Sequence, residues 1–293
     1  MKILLAALFL FCSASFSYAL DWHILHEQAD QLSLAQAQEA VARNPASLEK
    51  IYVLGLVYLN LHRDKEAAAA FDKALILDPK ALEAEWGKAE VLRRQHDLKK
   101  SEEALQEIIK QSPDFAPAYI SLAYIRYIQL DFNQAVSLAS KVIDERQNNV
   151  DPSNYVRAIL IVSGAKGMLA HYGGFFSKLT NGTAVFPGLK KAEKLKPDDA
   201  GVLFGMGSFY LLAPKIAGGN LQKAKIYLER TIKADPLFAD AYVRLAEIYK
   251  LEGDDNKYRL YLNKALEIDP GNDLALDVKS GACKLICIEK QGL

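Results

Sequence analysis

Apolar residues recur along most of the chain at separations of three, four and seven, the pattern of one face of an α-helix. Between residues 48 and 79 this pattern occurs in two consecutive stretches. The first stretch contains Ile51, Leu54, Gly55 and Tyr58, and the second contains Ala67, Phe71, Ala74 and Leu75. The segment therefore predicts two consecutive amphipathic helices.

Prolines mark a repeat of this two-helix pattern. The interval of thirty-four positions from Pro45 to Pro79 recurs from Pro79 to Pro113 and again from Pro236 to Pro270. Proline blocks the continuation of a helix, and the residue before it is pushed out of the helical region, so each proline marks a helix end. Thirty-four positions after Pro113 the chain has Gln147 in place of a proline, and the next prolines of the series are Pro197 and Pro236. The intervals from 147 to 197 and from 197 to 236 are longer than thirty-four, so two units of the repeat contain extra residues.

Small residues recur at one position of the first helix in each unit. A glycine inside a helix costs about 1 kcal/mol relative to alanine, so Gly55 indicates that two helix backbones approach closely there. The equivalent positions hold Ala89, Ala123, Gly207 and Ala246. Close helix packing is also the interpretation preferred for Gly205 and Gly207, because no strand precedes them as a dinucleotide-binding loop would require.

With these residues the chain resembles the tetratricopeptide repeat (TPR) family over roughly residues 33–270. The resemblance is carried in the first clear unit by Leu54, Gly55, Tyr58, Ala67, Phe71, Ala74 and Pro79. In the last unit it is carried by Tyr242, Leu245, Ala246, Tyr249, Leu262, Ala265 and Pro270. It implies an all-α fold, a right-handed α-solenoid of antiparallel helix pairs that bury their apolar faces by stacking.

The period divides the chain into six segments. They are a signal peptide (1–19), an N-terminal helical segment or partial repeat (20–47), three regular units (48–147), an irregular helical pair with a Gly/Phe-rich insert (148–199), further units of which the first has a five-residue insert (200–270), and a C-terminal capping helix (271–293). The capping helix is expected to cover the last repeat with Leu274, Val278, Ala282, Leu285 and Ile286, and to expose Asp277, Lys284 and Lys290.

Residues 1–19 have the pattern of a secretory signal peptide. Lys2 precedes nine apolar residues, 3–11, and the small residues Ser17 and Ala19 predict cleavage after Ala19. The apolar run is too short for a membrane span, and an uncleaved N-terminal anchor is the alternative. The mature chain has no further apolar run of spanning length, so we expect an exported protein, in a bacterial periplasm or secreted.

The composition is that of a folded globular chain and narrows the function classes. Apolar residues make up 51% and charged residues 25%, which excludes a disordered or collagen-like protein. The 36 basic and 36 acidic residues balance, so a nucleic-acid partner is not expected, because such binders carry a basic surplus. Three cysteines are too few for a disulfide framework.

Two irregular segments interrupt the repeat. Residues 173–186 are rich in glycine and aromatic residues, and Pro187 is predicted to open the helix that follows. Phe175 and Phe176 belong either to a binding loop at one rim of the array or to a loop that packs its own phenylalanines into the stack.

The second irregular segment, 213–220, combines Pro214 with Gly218-Gly219, and Asn220 is a predicted cap of the next helix. It is similar to a segment of the periplasmic helical-repeat components associated with tripartite ATP-independent (TRAP) transporters, in which proline is also followed by Gly-Gly and a Lys-Ala helix. Lys223-Ala224 matches that helix here. The similarity covers about thirty residues and implies an accessory role in solute transport.

The sequence contains no recognisable catalytic motif or cofactor fingerprint, and no cofactor or metal is expected. His23 and His26 could share a helix face as metal ligands or lie solvated at a frayed N-terminus. His171 has no orienting partner in the sequence, so packing or surface duty is expected. Cys283 and Cys287 lie one turn apart on the predicted capping helix and are expected to pack as small apolar residues, with oxidation allowed in an oxidising compartment.

The resemblance implies a partner site on the concave face formed by the first helices of the units. The inward positions there are rich in aromatic residues and arginine, the residue types that dominate interface energy. Packing against the next helix is the alternative for the aromatic residues. The predicted partner-binding residues are Tyr52, Trp86, Glu90, Arg93, Arg94, Tyr124, Tyr127 and Phe204.

These observations lead to the hypothesis of an exported, non-catalytic scaffold that binds a protein or peptide partner in its concave groove. The alternative is a periplasmic accessory component of a TRAP-type transport system, centred on the two irregular segments. An enzyme that uses those segments is a third, less supported hypothesis. The sequence leaves the oligomeric state open.

Overall fold

The computed structural model describes residues 21–144 and 150–286, and within these ranges the regular elements are helices. A π-helical turn lies at Lys178–Gly182 and a 3-10 turn at Lys215–Ala217. The predicted signal peptide lies outside the described residues. The α-helices are α1 (Trp22–Gln31), α2 (Leu34–Arg43), α3 (Leu48–Asn60), α4 (Asp64–Leu77), α5 (Leu82–Arg94), α6 (Leu98–Gln111), α7 (Ala116–Ile128), α8 (Phe132–Asp144), α9 (Pro152–Tyr172), α10 (Phe175–Ser177), α11 (Thr183–Leu195), α12 (Ala200–Leu212), α13 (Leu221–Ala234), α14 (Ala239–Leu251), α15 (Asp255–Ile268) and α16 (Asp273–Ser280).

Consecutive helices pack as antiparallel pairs, and each pair packs on the next, which confirms the predicted α-solenoid. The pairs are α3 with α4, α5 with α6, α7 with α8, α9 with α11, α12 with α13 and α14 with α15. The core therefore lies between the first and second helices of the pairs, and the first helices form the inner, concave face.

The helix boundaries follow the sequence signals. The helices α2, α4, α6, α13 and α15 each end two residues before a proline of the repeat. The predicted caps Asn220 and Asn272 accept hydrogen bonds from the backbone N–H of Lys223 and Ala275, at 2.9 and 2.8 Å. Proline ends one helix and an Asn side chain starts the next, so the pairs have a defined length.

Close packing of helices accounts for the repeated-position glycines Gly55 and Gly207, and for Gly87, which lies two residues before the repeated position of its unit. A Cβ atom on Gly55 or on Gly87 would lie 2.4 or 2.6 Å from Cε1 of Phe71, which is fully buried between their helices. A Cβ atom on Gly207 would lie 2.8 Å from the Leu228 side chain. These glycines therefore make room for a large side chain of the neighbouring helix.

The irregular pair differs from the prediction at two points. The helix α11 begins at Thr183 and contains Pro187, because the π-helical turn leads into it without a break, so the prediction that Pro187 opens the helix is wrong. Phe175 and Phe176 lie in the short helix α10, within the connection between α9 and α11, and are 70% and 80% exposed. The alternative in which the loop packs its phenylalanines into the stack is therefore wrong for these two residues, whereas Phe186 of the same segment stacks on Phe209.

The C-terminal end also differs from the predicted capping helix. Leu274 and Val278 are buried against the last repeat as predicted, but α16 ends at Ser280, because Gly281 takes a left-handed φ of 72° and the chain turns back. Asp277 is buried rather than exposed. Its carboxylate accepts hydrogen bonds from the backbone N–H of Lys284 and Leu285, at 2.9 and 2.7 Å. The carboxylate thus satisfies donors that the shortened helix leaves unpaired.

Cys283 lies beyond α16, with φ of 54°, and is disulfide-bonded. The expectation of a small packing residue on a helix is wrong for this position, whereas the oxidised alternative applies to it. Cys12 and Cys287 lie outside the described residues.

Candidate functional site

The helix α1 covers the concave face of the first units. It lies on α3 and does not form a hairpin with α2. The Trp22 and Phe115 rings are 5.4 Å apart, and the His26 ring lies 5.9 Å from Tyr52 and 5.1 Å from Trp86. The predicted partner residues Tyr52 and Trp86 are therefore buried beneath the chain's own N-terminal helix, and the prediction that they face a partner is wrong.

His26 joins α1 to α3 and to α9. The side-chain amide of Asn154 donates to His26 Nδ1 at 3.0 Å, so Nε2 carries the proton that is donated to the Tyr52 hydroxyl at 2.8 Å. Burial lowers the pKa of His26 to about 4, which keeps the ring neutral at pH 7. Neither interpretation of His26 from the sequence, metal ligand or solvated residue, is correct.

Beyond α1 the concave face encloses a cavity with a volume of about 2250 Å³. We call this space the interior cavity. Its walls are formed by α7, α9, α11, α12 and the ends of α5, α14 and α16. The predicted residues that line it are Arg93, Arg94, Tyr124, Tyr127 and Phe204.

Glu90 and Arg93 form a buried ion pair at one end of the cavity. The guanidinium of Arg93 donates to both Glu90 carboxylate oxygens at 2.7 and 3.0 Å, and the Ser121 hydroxyl donates to the same carboxylate at 2.7 Å. Burial alone would raise the pKa of Glu90, but Arg93, Arg157 and Ser121 outweigh it and lower the pKa to about 2. Glu90 is thus ionised, and its carboxylate is bound by Arg93 and Ser121 of the same chain. It is therefore not accessible to another molecule, and the prediction that it contacts a partner is wrong.

Aromatic rings cover the cavity wall next to this pair. The Arg93 guanidinium lies over the Tyr124 ring at 4.5 Å, and the outer part of Tyr124 is exposed. Tyr127 follows one turn later, and burial raises the pKa of its hydroxyl to about 12. Phe204 contributes from α12 and packs on Phe238 at 5.0 Å. These rings give the cavity an apolar wall beside a charged end.

Arg157 is the most accessible guanidinium at this end. Its side chain is 40% exposed and lies 3.6 Å from Glu90, whereas the side chains of Arg93 and Arg94 are 14% and 21% exposed. Arg94 is bound to Asp64 at 2.7 Å. A carboxylate entering the cavity would therefore meet Arg157 first.

Two histidines close the superhelix around the cavity. His62 and His96 occupy equivalent turns of two successive units, both with left-handed φ, and contact Asp235 and Asp269 at 2.8 and 2.9 Å. These aspartates also occupy equivalent positions, each directly after the second helix of a later unit. Two equivalent contacts therefore join an early part of the solenoid to a late part.

Both irregular segments of the sequence reach the interior cavity. The first lines it with Lys178, Gly182, Thr183, Val185 and Phe186, and the second with Ala213, Pro214, Lys215, Ala217, Gly219 and Asn220. Phe186 stacks on Phe209 at 4.9 Å, which links the two walls. His171 also lines the cavity. The sequence analysis expected a packing or surface role for this residue. Phe175 and Phe176 point away from this lining and are exposed.

Among residues 21–144 and 150–286, no group of three or more His, Cys, Asp or Glu side chains could hold a metal ion. Over the same residues, no helix has the length and apolar character needed to cross a membrane.

Sequence reasoning missed the covering role of α1, the accessible Arg157 and the His–Asp contacts. Trp22, Leu25 and Ala29 share a helix face, and this apolar face is a signal that α1 packs on something, but it does not say on what. The His–Asp contacts join residues 173 positions apart, and no local pattern indicates such a pairing.

This architecture of stacked helix pairs around a concave interior is that of an α-solenoid of two-helix repeats. Family models described as tetratricopeptide repeat match residues 31–81, 52–117 and 239–272. The chain carries tetratricopeptide repeats over these residues. The helix pairs between these matches have the same architecture. A search of curated protein sequences finds no match.

Solved structures share the fold at low sequence identity. The chain is 18% identical to a structure described as the APC/C hetero-tetramer Cut9-Hcn1, with a TM-score of 0.57, covering 88% of this chain and 47% of that one. It is 15% identical to a tetratricopeptide repeat protein from Parabacteroides merdae ATCC 43184, with a TM-score of 0.51, covering 89% of this chain and 98% of that one. It is 18% identical to IFIT1 solved with Gppp-AAAA, with a TM-score of 0.54 and coverages of 80% and 54%. The chain thus spans about half the length of the first of these, and the fold supports a protein–protein interaction scaffold.

Proposed function

We propose that the protein is an exported, non-catalytic scaffold that holds a segment of a partner protein in the interior cavity. The observation that carries the proposal is the cavity itself, about 2250 Å³ in volume and lined by Tyr124, Tyr127 and Phe204. Pockets for drug-sized ligands have volumes of roughly 300–1,000 Å³, so this space suits a peptide segment better than a small molecule. The charged groups around it are held in ion pairs, as in Glu90 with Arg93, rather than as a nucleophile beside a base.

The wall chemistry indicates what the partner segment carries. Apolar or aromatic side chains would pack on Tyr124 and Phe204, because large rings bury area at a low cost in conformational entropy. An acidic group would pair with Arg157, whose guanidinium is the most accessible of the three arginines discussed above. We therefore propose a segment that has apolar side chains next to a carboxylate.

A photo-crosslinking amino acid placed at position 124 tests this assignment. We expect it to capture a defined partner in cells, and the same probe in place of Leu260, which is exposed on α15, to capture none. A peptide from the cross-linked segment should then bind the purified protein with at least about tenfold lower affinity after Tyr124→Ala with Phe204→Ala. Equal binding by this variant and by Leu260→Ala would rule out the cavity as the site.

Export is part of the proposal, and the position of α1 is consistent with it. Cleavage after Ala19 would leave Leu20 as the first residue and keep Asp21, which caps α1 by accepting from the Ile24 N–H at 3.5 Å. N-terminal sequencing of the protein from the envelope fraction should begin at Leu20. Recovery of the chain with Met1 in the cytosolic fraction would contradict export.

An accessory role in solute transport is the second candidate. It is favoured by one observation, that the segments 173–186 and 213–220 both contribute to the cavity wall. In this case the protein should co-purify with a solute-binding protein and its permease from cross-linked cells. Capture of an unrelated partner through position 124 would favour the general scaffold.

A further inference from the structure

The two irregular segments emerge from the same edge of the solenoid. Residues 173–182 connect α9 to α11, and residues 213–220 connect α12 to α13. Both are connections from the first to the second helix in consecutive units, and such connections lie along one edge of a stack. The regular units have only three residues there, as in 61–63 and 95–97. We call residues 173–182 and 213–220 together the insert edge.

The insert edge carries large apolar side chains that project into solvent. Ile216 is fully exposed, Leu179 is 50% exposed, and Phe175 and Phe176 are more exposed than Leu179. The two phenylalanine rings pack edge to face on each other, 5.9 Å apart. Exposed apolar clusters of this kind mark surfaces that contact a protein or a membrane.

The segment of the chain that contains the insert edge has a positive net charge although the whole chain is neutral. Residues 152–234, which we call the basic block, contain 12 Lys and Arg but only four Asp and Glu, a net charge of +8, and the remainder of the chain carries −8. Two of those four acids, Glu193 and Asp198, are themselves paired with Lys190 and Arg230 within the block.

Lysines accompany the exposed apolar residues of the insert edge. Lys178 lies between Phe176 and Leu179, and Lys215 lies beside Ile216. Each exposed apolar group therefore has a lysine next to it in the chain.

We propose that the insert edge docks the protein on the surface of an anionic phospholipid bilayer. The headgroups would attract the basic block, and Phe175, Phe176, Leu179 and Ile216 would enter the boundary between headgroups and acyl chains. Each of the two segments of the insert edge presents exposed apolar side chains next to a lysine. This combination suits a bilayer surface, which has charged headgroups outside and an apolar interior. This inference does not depend on which partner occupies the interior cavity.

Vesicle co-sedimentation tests the proposal with the full chain, expressed with its own leader. The protein should bind vesicles that contain phosphatidylglycerol and should not bind vesicles of phosphatidylcholine alone, and added salt should weaken binding. Phe175→Ser with Phe176→Ser should lower the partition coefficient by about tenfold or more. Lys178→Glu with Lys215→Glu should lower it by at least about fivefold.

The matched control is Ile76→Ser with Leu260→Ser. These residues are 80% and 64% exposed but lie on α4 and α15, outside the basic block, so binding should not change. All variants carry the same N-terminus, so a contribution of residues 1–19 is common to them. Circular dichroism should be identical for all, because the substituted side chains are on the surface.

A Phe176→Trp variant provides an independent readout of insertion. Trp22 and Trp86, the natural tryptophans, are buried, so a blue shift on adding vesicles reports on position 176. Absence of binding to phosphatidylglycerol vesicles, equal binding by the phenylalanine variant and the control, or no blue shift would each overturn the proposal. Loss of a protein partner in the phenylalanine variant, without vesicle binding by the natural chain, would identify the edge as a protein-binding surface and would also overturn it.

Discussion

Replacement of Glu90 by Gln is the perturbation whose effect follows most directly from the structure. The Glu90 carboxylate is buried and receives two hydrogen bonds from Arg93 and one from Ser121, and Ser121 in turn accepts from the Trp86 indole at 3.1 Å. The substitution keeps the shape of the side chain and removes its charge. The Arg93 guanidinium is then left in a largely buried position without its ion-pair partner, which costs more than a lost surface ion pair.

The lowered pKa of Glu90 gives the expected loss of stability in Glu90→Gln. It is lowered from 4.5 to about 2, and this difference corresponds to about 3 kcal/mol of stability at pH 7. Because the pKa is lower in the folded state, this contribution is complete above pH 4.5 and is lost as the pH falls through 4.5 towards 2. At pH 3 about 1 kcal/mol of it remains.

Denaturant titration of the natural chain and of Glu90→Gln at pH 7 and pH 3 measures this. We expect the variant to be less stable by about 3 kcal/mol at pH 7 and by clearly less at pH 3. Glu66→Gln is the control, because Glu66 pairs with Arg63 on the surface, and it should be unchanged within error. A Glu90→Gln variant as stable as the natural chain at pH 7, or a difference that grows at pH 3, would refute the reasoning.

Three further predictions concern packing. Gly87→Ala places a methyl group against the Phe71 ring and should destabilise the protein by about 1–3 kcal/mol, seen as a lower Tm; a Tm that rises would contradict the steric argument. Trp22→Ala should speed amide exchange throughout α1 while the repeats stay protected, and unchanged exchange in α1 would show that the helix is held by other contacts. His96→Ala should loosen the contact at Asp269 and increase the radius of gyration in X-ray scattering; an identical scattering curve would show that stacking alone closes the superhelix.

The helix α1 covers the part of the concave face that contains Tyr52 and Trp86. Tyr52 and Trp86 have the residue types of a binding surface, yet both pack on His26 of the same chain. Trp86 also packs on Phe115, which contacts Trp22. A residue type that favours burial in an interface favours burial beneath a neighbouring helix for the same reason. The open part of the face is thereby restricted to the later units, where Tyr124 and Phe204 lie.

The repeat architecture could be predicted from the sequence because its causes are local. Proline ends a helix two residues before it, Asn220 and Asn272 cap the following helices, and Gly55 marks a crossing; each acts within a few residues of its own position. Stacking then repeats the same short-range geometry. Local signals failed at the C-terminal end, where Gly281 and the buried Asp277 end the helix that periodicity extends.

The sequence by itself determined the helix pairs, their length and their stacking, because these depend on contacts between residues close in the chain. The tertiary structure alone decided which concave residues are open. The contact of His26 with Asn154 joins residues 128 positions apart, and those of His62 and His96 with their aspartates span 173 positions. Such contacts depend on the rotation between successive repeats, added over all the repeats that lie between the two residues, including the lengthened unit. A short stretch of sequence does not determine this total rotation.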